Sequence, residues 1–345
     1  MQHTDVLEFD TLAMLASFCG VNNTHIAHLE SLFSVSLFVS GLRVDMVAER
    51  SDALQDCKKI CEYLMTCIRR SMTITNELID AAVHQIVGVE NDGAEVIDAS
   101  ENHHEKGTNM KIDDAYAKEK TDIKSPVAMI EFPSTQKRVV ARTRGQAKVL
   151  HALENYDLAF FVGPAGTGKT FLATAYALSL LLQKKKERYV ITRPVVEAGE
   201  HLGFLPGDLV QKILPYMRPI YDALHEVGGI TMVDYLQENN RLELAPLAYM
   251  RGRTLHNSVV LLDEAQNCTM EQMKMFLTRA GENTKVIVTG DIAQSDLPQK
   301  KNGLEHALEV FAQVKEACIV RLSEKDVMRS VLAKIIVEAY NRNIQ

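Results

Sequence analysis

A run of five apolar residues, Leu158-Ala159-Phe160-Phe161-Val162, leads without a break into Gly163-Pro164-Ala165-Gly166-Thr167-Gly168-Lys169-Thr170. No other stretch of the 345 residues narrows the choice of fold so far. The eight residues match G-x-x-x-x-G-K-[ST] in full, between strand-length apolar text and the helical text of Phe171 to Leu182. Glycines at 163, 166 and 168 let the backbone curl until successive N–H groups point inward at phosphate oxygens, with no Cβ in the way. Lys169 then offers a mobile charge to the β and γ phosphates and the Thr170 hydroxyl a ligand to Mg²⁺, while the helix starting near Thr170 adds its positive end. Strand-like and helix-like text alternates from about Pro133 to Gln345, so this region is expected to be an α/β domain built on a parallel sheet.

Two more strand-like runs end in residues suited to that loop. Val259-Val260-Leu261-Leu262 is continuously apolar, as in a strand covered on both faces, and closes on Asp263-Glu264. At the carboxyl end of a parallel strand, Asp263 is placed to hold Mg²⁺ directly or one shell out, and Glu264 to polarise an attacking water. Val286-Ile287-Val288-Thr289 closes on Gly290-Asp291-Ile292-Ala293-Gln294, where Gln294 is placed to sense the γ-phosphate.

The rest of the chain divides into two zones. From Asp10 to about Asn76 the text reads as a small α+β domain, 1–76: helices around Thr11 to Phe18 and from Asn22-Asn23 through Leu32, then a hairpin. Val35, Leu37 and Val39 alternate with polar or outward positions, Ser40-Gly41 turns the chain, and Leu42 to Ala48 returns. Ser51 reads as the N-cap of a helix with the stripe Leu54, Ile60, Cys61, Leu64 and Ile68. Between about Val89 and Phe132 the text turns polar, as in Glu101-Asn102-His103-His104-Glu105-Lys106-Gly107, so residues 77–132 are expected to form a flexible linker before a domain over 133–345.

Composition excludes several classes. With 38 Lys plus Arg against 45 Asp plus Glu, the net charge of −7 excludes histone-like coating of a polyanion. Any nucleic-acid contact must come from a local patch. The amino terminus lacks a secretory signal and no segment holds about 18 uninterrupted apolar residues, so a cytoplasmic protein without a membrane partner is expected. Six cysteines at 19, 57, 61, 67, 268 and 318 have no CxxC spacing and read as reduced thiols, without structural zinc.

With these motifs placed, the chain resembles the PhoH family of P-loop ATPases, over about Arg142 to Tyr340. The resemblance is carried by Thr192-Arg193-Pro194-Val195-Val196-Glu197-Ala198-Gly199-Glu200, Leu202-Gly203-Phe204-Leu205-Pro206-Gly207-Asp208-Leu209, Ala245 to Leu255, Leu262-Asp263-Glu264-Ala265-Gln266-Asn267 and Thr289-Gly290-Asp291. It implies a RecA-like ATPase core using ATP and Mg²⁺, acting on single-stranded RNA in RNA or ribosome maturation, in a homo-oligomeric ring. By position, Gln146 resembles the glutamine that reads the nucleotide base, and Arg329 resembles an arginine finger. Ser330-Val331 stands where His-Pro is usual, and Leu214 where Asp is usual. The amino-terminal unit resembles a divergent KH-like module, with Gly20-Val21-Asn22-Asn23 carrying Asn in place of the second glycine of G-x-x-G.

Lys137, Arg138, Arg142, Arg144 and Lys148 make a positive strip just before the phosphate loop, and Arg193, Arg251 and Arg253 are candidates to extend it across the strand ends, the alternative being strand caps or ion pairs with Glu197 and Glu200. Two functions follow as expectations. One is ATP hydrolysis coupled to single-stranded RNA. The other is an ATP-gated scaffold that organises an RNase or ribosome-processing partner without motor activity, in keeping with a single core domain. Transfer of phosphate to a small acceptor is a third, which Glu264 and Gln294 fit less well than water activation.

Overall fold

The computed structural model describes residues 2–88, 95–98, 127–132, 137–194, 209–295 and 302–328. Its contacts divide the chain into two compact units.

The first unit comprises Met1–Asn91 with Lys120–Ala128 and Val140–Arg144. It holds β1 (His3–Glu8), α1 (Leu12–Cys19), α2 (Thr24–Phe33), β2 (Val35–Ser40), β3 (Arg43–Ala48), α3 (Ser51–Arg69) and α4 (Asn76–Ala82). The hairpin lies where alternation places it, with β3 pairing β2 antiparallel. The strand β1 is an addition to the sequence reading: it pairs antiparallel with β3 and gives the order β1-β3-β2. Its text alternates weakly, with Val6 exposed and Leu7 buried, so a period-2 reading passes over it. Ser51 is the first helical residue of α3 rather than its cap; Arg50 takes the N-cap position, where its side chain makes no capping bond to the backbone and pairs instead with Asp52. The buried stripe of α3 includes Leu54, Ile60, Cys61 and Leu64 as expected. Thr75 caps α4, whose Leu78, Ile79, Ala81 and Ala82 are buried, so this unit continues beyond residue 76. Most of 77–132 lies outside the described residues. All six cysteines are buried free thiols.

The second unit is built on a seven-stranded sheet. Its strands are β4 (Glu95–Asp98), β7 (Leu158–Val162), β8 (Arg188–Arg193), β9 (Leu242–Pro246), β10 (Ser258–Leu262), β11 (Lys285–Gly290) and β12 (Ala317–Arg321). The order is β4-β12-β7-β11-β10-β8-β9, with β4 antiparallel and the other six parallel. A small pair, β5 (Met129–Phe132) and β6 (Lys137–Val140), stands apart. The helices are α5 (Arg144–Asn155), α6 (Lys169–Leu182), α7 (Leu209–Gly228), α8 (Ile230–Glu238), α9 (Met270–Leu277) and α10 (Gly303–Phe311). Continuous apolar strands follow from burial on both faces: every residue of β10 and β11 is buried. One face carries Phe160, Val190, Val260, Leu262, Val288 and Ile319 against Met273 and Phe276 of α9 and Leu304 and Leu308 of α10. On α6, Thr174 meets the fully buried Tyr189 of β8 at 3.1 Å between hydroxyl oxygens. Truncating a fully buried aromatic such as Phe160 costs about 3–5 kcal/mol, so this core holds the strand ends rigidly.

The topology has one consequence for function. β11 lies between β7, which leads into the glycine loop, and β10, which ends in Asp263-Glu264. The carboxyl ends of three neighbouring strands therefore converge, with β11 as the central one.

Candidate nucleotide site

The loop Gly163 to Thr170 follows β7 and feeds α6. Gly168 is the N-cap of α6 at φ 84°, a left-handed conformation that glycine adopts without a Cβ penalty. A Cβ there would also lie 3.0 Å from Nε2 of Gln146. Gln146, buried on α5, donates from that nitrogen to the Thr167 carbonyl at 3.0 Å, so here it braces the loop from behind. Ala165 and Gly166 are exposed and Thr167 is buried, its hydroxyl donating to Pro164 O at 2.9 Å.

Lys169 is buried, and its Nζ donates to the loop's own carbonyls, Gly163 O at 2.6 Å and Pro164 O at 2.7 Å, and to Thr167 Oγ1 at 3.3 Å. Burial lowers its pKa from the ordinary lysine value, against the pull of Asp291, Glu264 and Asp263. Thr170 Oγ1 donates to Asp263 Oδ1 at 2.7 Å, although 93 residues separate them. Thr289 Oγ1, from the intervening β11, donates to the same Oδ1 at 2.7 Å. Asp263 is buried, whereas Glu264 is half-buried and sits in the left-handed region at φ 54°, ψ 42°. Arg193 Nη2, at the end of β8, pairs with Glu264 Oε1 at 3.0 Å. Gln294 is exposed in a short turn capped by Asp291, whose Oδ1 accepts from the Ala293 N–H at 3.0 Å.

Residues matched to a nucleoside triphosphate and Mg²⁺ are thus gathered at one sheet edge. A buried ammonium folded onto the carbonyls of a glycine loop suits a triphosphate tail, and a buried carboxylate meeting the loop hydroxyl suits a divalent cation.

The remaining expected residues fall differently. Arg253 forms a two-pronged pair with Glu243, Nη1 to Oε1 at 2.6 Å and Nη2 to Oε2 at 2.7 Å. Glu243 pairs in register with Val190 in the first half of β8, so Arg253 lies toward the amino ends of the strands, away from Arg193. Arg193 and Arg253 thus face two different carboxylates, Glu264 and Glu243. Arg251 is exposed after the turn Leu247–Met250. In the basic strip, Arg138 pairs with Glu131 at 3.2 Å, Arg142 with Glu77 at 2.8 Å, and Lys137 donates to Val227 O at 3.1 Å. Arg329, the motif text Val195 to Asp208 and the departure at Ser330-Val331 lie outside the described residues, as does the side chain of Leu214. In the sequence, Thr289 and Gln266 stand only as motif text, with no role of their own. Thr289 closes a strand-like run visible in the sequence, and only the sheet order places that strand beside Asp263.

A parallel sheet with a G-x-x-x-x-G-K-T loop at its central edge and an acid at the end of a nearby strand defines a nucleoside triphosphatase core of the P-loop class. Comparison with known proteins gives the family: the PhoH-like protein description matches residues 138–341, and the chain belongs to that family. A PhoH-like protein of Mycobacterium tuberculosis (strain ATCC 25618 / H37Rv) is 37% identical over 333 residues, covering 95% of this chain and 85% of that one. One of Bacillus subtilis (strain 168) is 49% identical over 207 residues, 60% of this chain and 65% of its own length. Protein PhoH of Escherichia coli (strain K12) is 48% identical over 206 residues, 59% of this chain and 58% of its own length. Among solved structures, the large terminase from a thermophilic bacteriophage overlaps 58% of this chain and 49% of its own at 13% identity and a TM-score of 0.39, too slight a likeness to carry an argument.

Proposed function

We propose that this protein hydrolyses ATP with Mg²⁺ and couples that cycle to single-stranded RNA during RNA or ribosome maturation, in the cytoplasm and as a homo-oligomeric ring. The observation that carries the hydrolytic half is the meeting of Thr170 Oγ1 with Asp263 Oδ1 at 2.7 Å, one residue from Glu264. Backbone amides from Gly163 to Thr170 bind the phosphate tail and Lys169 leaves its carbonyl partners to neutralise it. Thr170 and Asp263 hold the cation, which when bound supplies charge neutralisation across the phosphates. Glu264 accepts the proton of the attacking water, Gln294 senses the terminal phosphate, Gln146 reads the nucleotide base, and Arg329 of a neighbouring copy completes the charge.

The test is a pair of substitutions. Lys169→Ala is expected to abolish turnover, and Glu264→Gln to retain bound ATP while lowering hydrolysis by about 10²-fold or more. Unaltered hydrolysis in both variants overturns the reading.

The RNA half rests on family resemblance and on exposed Arg251. One observation favours the second reading, an ATP-gated scaffold organising an RNase or ribosome-processing partner. Arg193, Arg253, Arg138 and Arg142 already hold internal carboxylates. Unwinding of a tailed duplex that requires hydrolysable ATP supports the motor; ATP-dependent partner retention without unwinding supports the scaffold.

A further inference from the structure

Gln266 is buried, yet both ends of its amide are used. Its Nε2 donates to Glu264 Oε2, and its Oε1 accepts from the Asp291 N–H at 3.0 Å. Its backbone carbonyl accepts from Ser295 Oγ at 3.1 Å. These bonds tie the turn after β10 to the turn after β11 at two points, on either side of Gln294. The fit is specific in shape: a Cβ at Gly290 would stand 2.8 Å from Gln266 Oε1 and 2.6 Å from Leu304 Cδ2. Below them, Thr289 Oγ1 donates to Asp263 Oδ1 at 2.7 Å, a third tie between the same two strands.

Glu264 needs such support. Its left-handed backbone is a conformation that non-glycine residues hold only where surroundings over-determine it. With Arg193 on Oε1 and Gln266 on Oε2, the carboxylate is gripped on both oxygens. Asp291 is the residue from which the Gln294 turn starts, so a shift of that turn pulls on the Gln266 amide and through it on Glu264.

We propose that Gln266 is a positioning residue which, seated against Gly290, aims the Glu264 carboxylate and transmits to it the position of the Gln294 turn. This rests on the hydrolytic role proposed for Glu264. Thr289 plays the matching part for Asp263, so both acids are referenced to β11.

The test is Gln266→Leu in the full chain, which keeps the bulk and removes the amide. The expected result is a fall in kcat of roughly 10–100-fold, since small misplacements at a reacting centre are costly, with unchanged affinity for a non-hydrolysable ATP analogue. In nucleotide-free protein the Asp291 amide should exchange hydrogen faster. In the Glu264→Gln background, Gln266→Leu should cost nothing further, because a residue acting through Glu264 has nothing left to aim. Gln266→Asn, one methylene too short to span both partners, should show the same split if the leucine variant folds poorly. Unchanged kcat, or losses that multiply in the double variant, overturn the proposal. If Glu264→Gln alone leaves hydrolysis intact, the role proposed for Glu264 fails and the inference falls with it.

Discussion

The Arg253–Glu243 pair illustrates what a single residue contributes. Hydrogen bonds from Arg253, outweighing burial, hold the Glu243 carboxyl below the usual carboxylate range. A carboxyl whose folded pKa is depressed adds stability above the unfolded value, near ~4.3, and that contribution is lost as pH falls through the folded value. Glu243→Gln should therefore destabilise at pH 7, by no more than about 1 kcal/mol because both partners are partly solvated. In urea titrations the gap from the parent protein should close as the pH is taken below the carboxylate range. A gap independent of pH assigns the effect to packing. Sequence alone left Arg253 as a candidate phosphate contact, since its partner lies on a strand that only the sheet brings alongside.

Elements set the precision of the site. Helix α9 begins with a full capping box: Thr269 Oγ1 accepts from Gln272 N at 3.2 Å, and Gln272 Oε1 accepts from Thr269 N at 2.9 Å. Its Met273 and Phe276 belong to the core cluster that holds Val260 and Leu262 of β10 and Val286 and Val288 of β11, so the cap anchors a helix packed into the core of the acid-bearing strands. Thr269→Ala should lower the unfolding free energy by about 1 kcal/mol, measured by denaturant midpoint at constant m. An unchanged midpoint argues that tertiary packing alone holds α9. The continuous apolar runs of β7, β10 and β11 were legible in the sequence, whereas the box in Thr269-Met270-Glu271-Gln272 was not read there. The strand β1 was not, because its stability comes from pairing with β3 rather than from its own alternation.

For the whole molecule, the two units make different claims. No helix among the described residues is long and apolar enough to cross a membrane. If the second unit binds Mg²⁺ and ATP as proposed, ligand at one hundred times Kd should stabilise it by about 2.7 kcal/mol. Hydrogen exchange should then slow at Gly163 to Thr170 and in the turns after β10 and β11, and Lys169→Ala should erase that protection. Protection confined to the first unit would contradict this placement.

The strand-loop-helix text around Lys169 and the apolar run ending in Asp263-Glu264 were written in consecutive residues, because phosphate cradling and strand burial are local demands on backbone and side-chain type. The sheet order was not. Nothing local in residues 285–290 says that β11 separates β7 from β10, and from that one fact follow the Thr289 contact with Asp263 and the Gln266 bridge to Asp291, while the pairing of β8 with β10 brings Arg193 to Glu264. Together with the meeting of Thr170 and Asp263, such contacts join residues 25 to 93 positions apart, and only burial of the whole sheet decides which of them meet.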